Sequence, residues 1–335
     1  MDNKVTKKRL SELLSYDWIL MIVFSVIIIL VWELIYTMGG VRLTTGQQFK
    51  YYYDQGISTT TSGEFYALLE KDGVFSYKDK TFSYDVIELD VENLSSDFNV
   101  LTTRLSVQEG DIIITESKDN STEDKPQTIR AKTIVDNCFA YSLDGLLADA
   151  KSYLTDNFFK DGLPTENVDF SNLSQLDEQK IKSVFLERMK GDNRFRSEQE
   201  KADGIVKETN RIKALMMDVY NFDKFMTYAK EECPQLLYSY KRYQQSYDFA
   251  TDGTNAKKDY ATMLEKEQVK TYGINVEYLT GGKTNPSEYF KMQGSETAEH
   301  VVIMAFNFLK HQPHLQFETI SFFNTVIKEC SNILD

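Results

Sequence analysis

Apolar positions change period several times along the first third of the chain, and each change marks an element. Residues 18–38, "WILMIVFSVIIILVWELIYTM", are apolar on every face and carry one ionisable side chain, Glu33. At about 1.5 Å per residue such a helix reaches roughly 31 Å, the depth of a bilayer's hydrocarbon core. Trp18, Trp32 and Tyr36 lie near its ends, where amphipathic rings favour the interface. After it, the aromatic run Phe49–Tyr53, bounded by Asp54 and Gly56, reads as a short strand. Ser62 starts a helix through Phe65, Leu68 and Leu69 that ends near Asp72 and Gly73. Val86, Ile87, Leu89 and Val91 suit a second strand. Ser95 or Ser96 then caps a helix carrying Leu94, Phe98, Leu101 and Leu105, and Gly110 stops it.

The next stretch, "VQEGDIIITES", holds the unbroken run Ile112–Ile114. A strand–helix–strand–helix–strand order implies parallel strands joined by helical crossovers, and such strands are buried on both faces. A continuous apolar run is what that burial demands. Right-handed crossovers bring Asp54–Thr59 and Thr115–Ser117 to one edge of the sheet, where open α/β sheets bind ligands. Asp54, Gln55, Ser58, Thr59, Thr115, Glu116 and Ser117 are therefore the candidate ligand-binding residues. The same residue types also serve as ordinary turn residues.

Residues 116–132 are polar and read as a connection. Residues 174–245 read as helical, with Ser174/Asp177 and Ser197/Glu200 as helix-start boxes. Ile181, Val184, Phe185 and Met189 make one core stripe; Ile205, Ile212, Leu215, Met216 and Val219 make another. "ERMKGDNRFR" gathers Arg188, Lys190, Arg194 and Arg196, either an anion site or a solvated loop between helices. Tyr238, Tyr240, Tyr243 and Tyr247 offer aromatic faces, with Tyr243 and Tyr247 spaced to share a helix face.

Charge narrows the classes. Net charge is −13, and residues 1–38 balance to zero, so the body after the apolar helix is strongly acidic. That argues against nucleic acid and against an anionic lipid surface as partners. Lys7, Lys8 and Arg9 precede the helix, which places the N-terminus in the cytoplasm and residues 39–335 outside the membrane. The apolar stretch is longer than a signal-peptide core and "YTMGGVRL" has no A-x-A site, so a retained signal anchor is expected. Glu33 reads as a shallow acid reaching the headgroups or as a functional intramembrane carboxyl.

Cys138, Cys233 and Cys330 are widely spaced, read as buried free thiols, and define no disulfide framework. "TGGKT" at 280–284 resembles a phosphate loop but has Glu277 where glycine is required. His300, His311 and His314 form no H-E-x-x-H, and Pro313 suggests a turn in "HQPH"; no metal, no cofactor and no catalytic residue is expected. Both tryptophans fall in the anchor, which lowers the expectation of an oligosaccharide ligand.

"LTTRLSVQEGDIIIT", "FAYSLDGLLADAKSYL" and "HVVIMAFNFLKHQPHLQFETISFFNTVIKEC" resemble, in order, segments of the extracellular solute-binding proteins of ABC transporters. The resemblance covers about a third of the chain and implies a two-lobed, periplasmic-binding-protein-like fold closing on a small polar ligand. The expected fold class is thus α/β: a cytoplasmic stretch at 1–16, a single transmembrane helix at 17–38, lobe 1 from 45–125 with 296–335, and a helix-rich lobe 2 at 135–290. The implied partners are the lipid bilayer through residues 17–38, an ABC permease or another membrane complex, and the ligand. A scaffold or sensor that keeps the fold without the ligand is the alternative.

Overall fold

The computed structural model divides the chain into two compact units, Met1–Thr44 and Thr45–Asp335. It describes Lys7 and residues 18–39, 48–54, 57–58, 88–94, 98–107, 109–118, 130–161, 168–191, 195–242, 268–292, 294–307 and 313–335. In the first unit, helix α1 runs from Trp18 to Gly39. Its described side chains from Ile22 to Leu34 are exposed and, apart from Ser25 and Glu33, apolar. Counting described side chains alone, no helix is long and apolar enough to cross a membrane.

The second unit contains, in order, β1 (Gln48–Asp54), β2 (Ile57–Ser58), β3 (Glu88–Leu94), α2 (Phe98–Ser106), β4 (Ile112–Glu116), α3 (Ala131–Asp136), α4 (Leu143–Phe158), α5 (Glu178–Arg188), α6 (Glu198–Glu231), β5 (Leu237–Tyr240), β6 (Lys270–Asn275), α7 (Pro286–Tyr289), β7 (Lys291–Met292), β8 (Val301–Ala305) and α8 (Pro313–Cys330). Six strands form one mixed sheet in the order β3-β1-β4-β8-β6-β5, and β2 pairs with β7 alone. β1 is parallel to β3 and to β4, as the opening pattern predicts. The returning strand β8 runs antiparallel to β4 and to β6, and β5 antiparallel to β6. β1, β3, β4 and β6 therefore point one way. The helix expected between Ser62 and Gly73 lies outside the described residues.

Helices cover both faces, which explains the run in β4. Ile112 and Ile114 join Phe49, Tyr51, Val301 and Ile303 in a core against α4, α6 and α8. Ile113 faces the other way with Tyr52, Val302 and Met304, against Leu101 of α2 and Ile134 and Val135 of α3. Gly110 makes the turn into β4 at φ 96°, and a Cβ there would lie 2.2 Å from the Tyr52 ring, so only glycine fits. Asp111 then ties the edge of the ladder: its N–H donates to the Lys50 carbonyl at 2.7 Å, and its carboxylate accepts the Lys50 N–H at 2.7 Å.

β5 and β6 come from the 135–290 stretch and share a sheet with β1, β3, β4 and β8. Several expectations on single elements are corrected. Leu237–Tyr240 is a strand, not a continuation of helix; Tyr238 and Tyr240 stack, centroids 6.3 Å apart, as i and i+2 on one strand face. Tyr243 and Tyr247 lie outside the described residues. Ser174 belongs to a short 3-10 turn, Leu173–Gln175, while Asp177 caps α5 by accepting the Gln179 and Lys180 N–H groups. Pro313 opens α8 instead of forming a free turn, since its missing N–H is no loss in a first helical turn. Ser197 and Glu200 form the full reciprocal box expected at the start of α6. Of the cysteines, only Cys330 is buried; Cys138 is exposed and Cys233 half-buried, all three as free thiols.

Candidate functional site

The carboxyl ends of β1 and β4 do meet at one edge, because Tyr53 pairs with Ile114 and the register carries Asp54 beside Thr115. Glu116, the last residue of β4, faces Val301 at the start of β8. The individual candidates separate at this point. Thr115 is fully enclosed, so its side chain does not reach a ligand at the edge. Ser117 is spent on the fold: its N–H and Oγ both donate to the His300 carbonyl, at 2.8 and 3.1 Å. Glu116 is half-buried, and its backbone forms an isolated parallel β-bridge with Arg130. Ser58 lies in β2 opposite Lys291. The side chains of Asp54 and Ser58, and all of Gln55 and Thr59, lie outside the described residues.

The same edge holds a cavity of about 490 Å³ at the end of β6, built from residues the sequence reading did not assign. Its walls include Glu277, Thr280, Thr284, Asn285, Ser287 and Glu299. The link to β4 runs through His300, which takes the left-handed conformation at φ 65°. Its N–H donates to Glu277 Oε2 at 3.0 Å while its carbonyl receives Ser117. A non-glycine residue held there costs of order 1 kcal/mol or more, and the two bonds fix it.

The loop "TGGKT" forms the cavity wall. Gly281, at φ 81°, pairs with Ser331. Gly282 lies so close to the chain that a Cβ would sit 2.3 Å from the carbonyl carbon of Cys330. The Thr284 hydroxyl donates to Glu329 Oε1 at 2.7 Å, and Asn285 caps α7 by accepting the Ser287 N–H at 2.9 Å. Two glycines between hydroxyls were thus a usable signal, although not for phosphate: among the described residues lining this cavity there is no Lys or Arg. Burial, followed by the nearby Glu329 and Glu288 charges, pushes the thiol of Cys330, also in the wall, up to about 12. A hydrogen bond to Glu277 raises the Tyr278 phenol above its ordinary value. Carboxylates, hydroxyls and one amide give a wall rich in acceptors, suited to a solute presenting O–H or N–H donors.

The opposite edge carries a smaller cavity of about 380 Å³ lined by Cys138, Tyr141, Asp149, Arg242 and Lys270. There Arg242 donates to the Cys138 sulfur at 2.8 Å and the Tyr141 hydroxyl donates to Asp149. Burial, then the Asp149 bond and charge, raise the Tyr141 phenol. Among the described residues no group of three or more His, Cys, Asp or Glu is placed to hold a metal ion. His311 lies outside the described residues, as does the His314 side chain. No protein-family model, no curated protein and no solved structure matches this chain.

Proposed function

We propose that the chain is a single-pass membrane protein, N-terminus inside, whose outer α/β body captures a small donor-rich polar solute at the carboxyl edge of its sheet. The reading assigns binding and no catalysis. The observation that carries it is the acceptor-lined cavity of about 490 Å³ at the end of β6, on the edge shared by β1 and β4. Hydroxyl and carboxylate groups converging in one cavity favour a polyol or a small amine. The resemblance to solute-binding proteins implies delivery of that solute to an ABC permease or another membrane complex. The apolar character of α1 supports the anchor: a helix without a polar face belongs in lipid or in a large core.

The test uses the full chain in nanodiscs of neutral lipid, melted against panels of polyols, amino sugars, polyamines and amino acids. A true ligand at a hundredfold excess over its Kd raises the melting temperature by roughly 5 °C through mass action. Glu299→Gln with Thr280→Val removes the rise, because both groups face the cavity from exposed positions. Silence across all panels favours the second reading, a scaffold or sensor beside a membrane complex. One observation speaks for that reading: among the described residues, β5 and β6 of the 135–290 stretch share one six-stranded sheet with β1, β3, β4 and β8 instead of forming a sheet of their own.

A further inference from the structure

Basic and acidic groups fare differently in this fold. In the basic stretch between α5 and α6, Arg188 pairs at 3.0 Å with fully buried Glu208 of α6, which also accepts from Arg211 at 2.8 and 2.9 Å. Lys201 pairs with Glu198 at 2.7 Å, Lys190 lies 3.9 Å from Glu187, and Arg194 falls outside the described residues. The cavity at the end of β6 is the reverse. Glu277 and Glu299 stand in its wall, and among the described residues neither pairs with a Lys or Arg side chain. Glu277 accepts from the His300 N–H at 3.0 Å and from the Tyr278 hydroxyl; Glu299 Oε1 lies 3.3 Å from the His300 ring. Lys283 of the same loop is exposed and is not part of the wall. The charges of both carboxylates bear on the Tyr278 phenol, which places the two within reach of one group.

Donors in the wall are already engaged. The Thr284 hydroxyl donates to Glu329, the Ser287 N–H to Asn285 Oδ1, and the Ala298 N–H to Ser287 Oγ at 3.0 Å. The Thr284 N–H donates to the Glu329 carbonyl, also at 3.0 Å. A carboxylate, by contrast, offers about four acceptor sites, more than the bonds above occupy on Glu277 or Glu299. A polyol hydroxyl both donates and accepts, whereas an ammonium has three donors and no acceptor. Given solute capture at this cavity, on which this step rests, we infer that the solute is a small hydroxylated amine. Its ammonium sits between Glu277 and Glu299, and its hydroxyls lie beside the exposed Thr280 and Asn285 side chains. A bare metal ion fits less well, because among the described residues no group of three or more His, Cys, Asp or Glu is placed to hold one.

Calorimetry on the full chain in neutral-lipid nanodiscs, with empty nanodiscs subtracted, compares three pairs in which one ammonium replaces one hydroxyl: serinol against glycerol, glucamine against sorbitol, glucosamine against glucose. At least one amine binds, about tenfold or more tighter than its neutral partner, through the charge-assisted bond. Glu299→Gln erases most of that ratio and keeps the wild-type melting temperature, since the side chain is 66% exposed. Glu296→Gln, which removes an acid outside the cavity, keeps the ratio and so separates the site from general attraction to a chain of net charge −13. Binding of a polyol with no gain for its amine overturns the inference and leaves solute capture standing. Silence from all six compounds also overturns it, and silence in the melting panels as well removes capture with it. An unchanged ratio in Glu299→Gln, or calcium chloride displacing the amine at equal concentration, overturns the inference alone.

Discussion

At the scale of single residues, Asp111 carries the clearest solution signature. Burial raises its carboxyl to about 7, against the opposing bond from the Lys50 N–H. A carboxyl raised in the folded chain holds its proton more tightly there than in the unfolded chain. Its contribution to stability is complete below the unfolded value near 4 and is lost as pH rises towards 7, at about 1.4 kcal/mol per pH unit. Asp111→Asn keeps an acceptor for Lys50 and removes the titration. Urea unfolding at several pH values between 4 and 7 then shows a flatter profile than wild type; parallel profiles would refute the assignment. Gly282 gives a second residue-scale outcome. Its absent Cβ would meet the Cys330 and Ser331 backbone at 2.3 Å, and backbone cannot rotate away as a side chain can. Gly282→Ala therefore costs about 2 kcal/mol or more and lowers the melting temperature measurably. Neither residue was singled out from composition. Thr115, which was, belongs by alternation with Ile113 on the α2–α3 face, so strand parity already held the reason for its burial.

Between elements, the α5–α6 hairpin rests on the Glu208 network. Burial alone would raise the Glu208 carboxyl, but the bonds and charges of Arg211 and Arg188 outweigh it and hold it below its ordinary value. Its stability contribution has the opposite sign to that of Asp111: present above the unfolded value near 4 and lost as pH falls through it. Glu208→Gln leaves two enclosed guanidinium groups facing a neutral amide, and chemical denaturation should show a loss of about 3–5 kcal/mol. A loss below 1 kcal/mol would mean the hairpin is held by its apolar contacts alone. The elements themselves were largely legible. Ser197/Glu200 and the stripes through Phe185 and Met216 report helix starts and faces directly. The exception is β5, four residues following a 34-residue helix, where a tyrosine at every second position fits strand alternation as well as it fits a helix face. Half-buried Asp218 shows why long helices hide their partners from sequence. Its backbone carbonyl and carboxylate engage Asn324, and Ser321 bonds the same carboxylate from α8, about a hundred residues away.

For the molecule as a whole, direction within a strand order proved readable and neighbourhood did not. The parallel set β1, β3 and β4 follows the order of apolar runs along the chain, with α2 lying between β3 and β4. That β8 arrives from residue 301 to lie beside β4 depends on pairing across almost two hundred residues, and β6 then pairs with β8. Local pattern carries no record of such contacts. The cavity at the end of β6 was hidden for the same reason: its walls come from loops, where no period exists to be read. At this scale the placement of charge carries the proposed topology. In intact cells, protease added outside should digest the body, while a carbonate wash leaves the chain in the membrane fraction. Release by carbonate would remove the anchor from the account.

Confinement of Trp18 and Trp32 to α1 makes the chain its own two-colour instrument. Indole emission reports only the surroundings of that helix, blue-shifting on transfer into lipid and dimming with brominated acyl chains. All tyrosines except Tyr16 and Tyr36, meanwhile, lie in the second unit. The insertion proposed for α1 and the unfolding of the body can thus be timed separately in one unlabelled sample, and an indole emission that ignores lipid would count against the anchor.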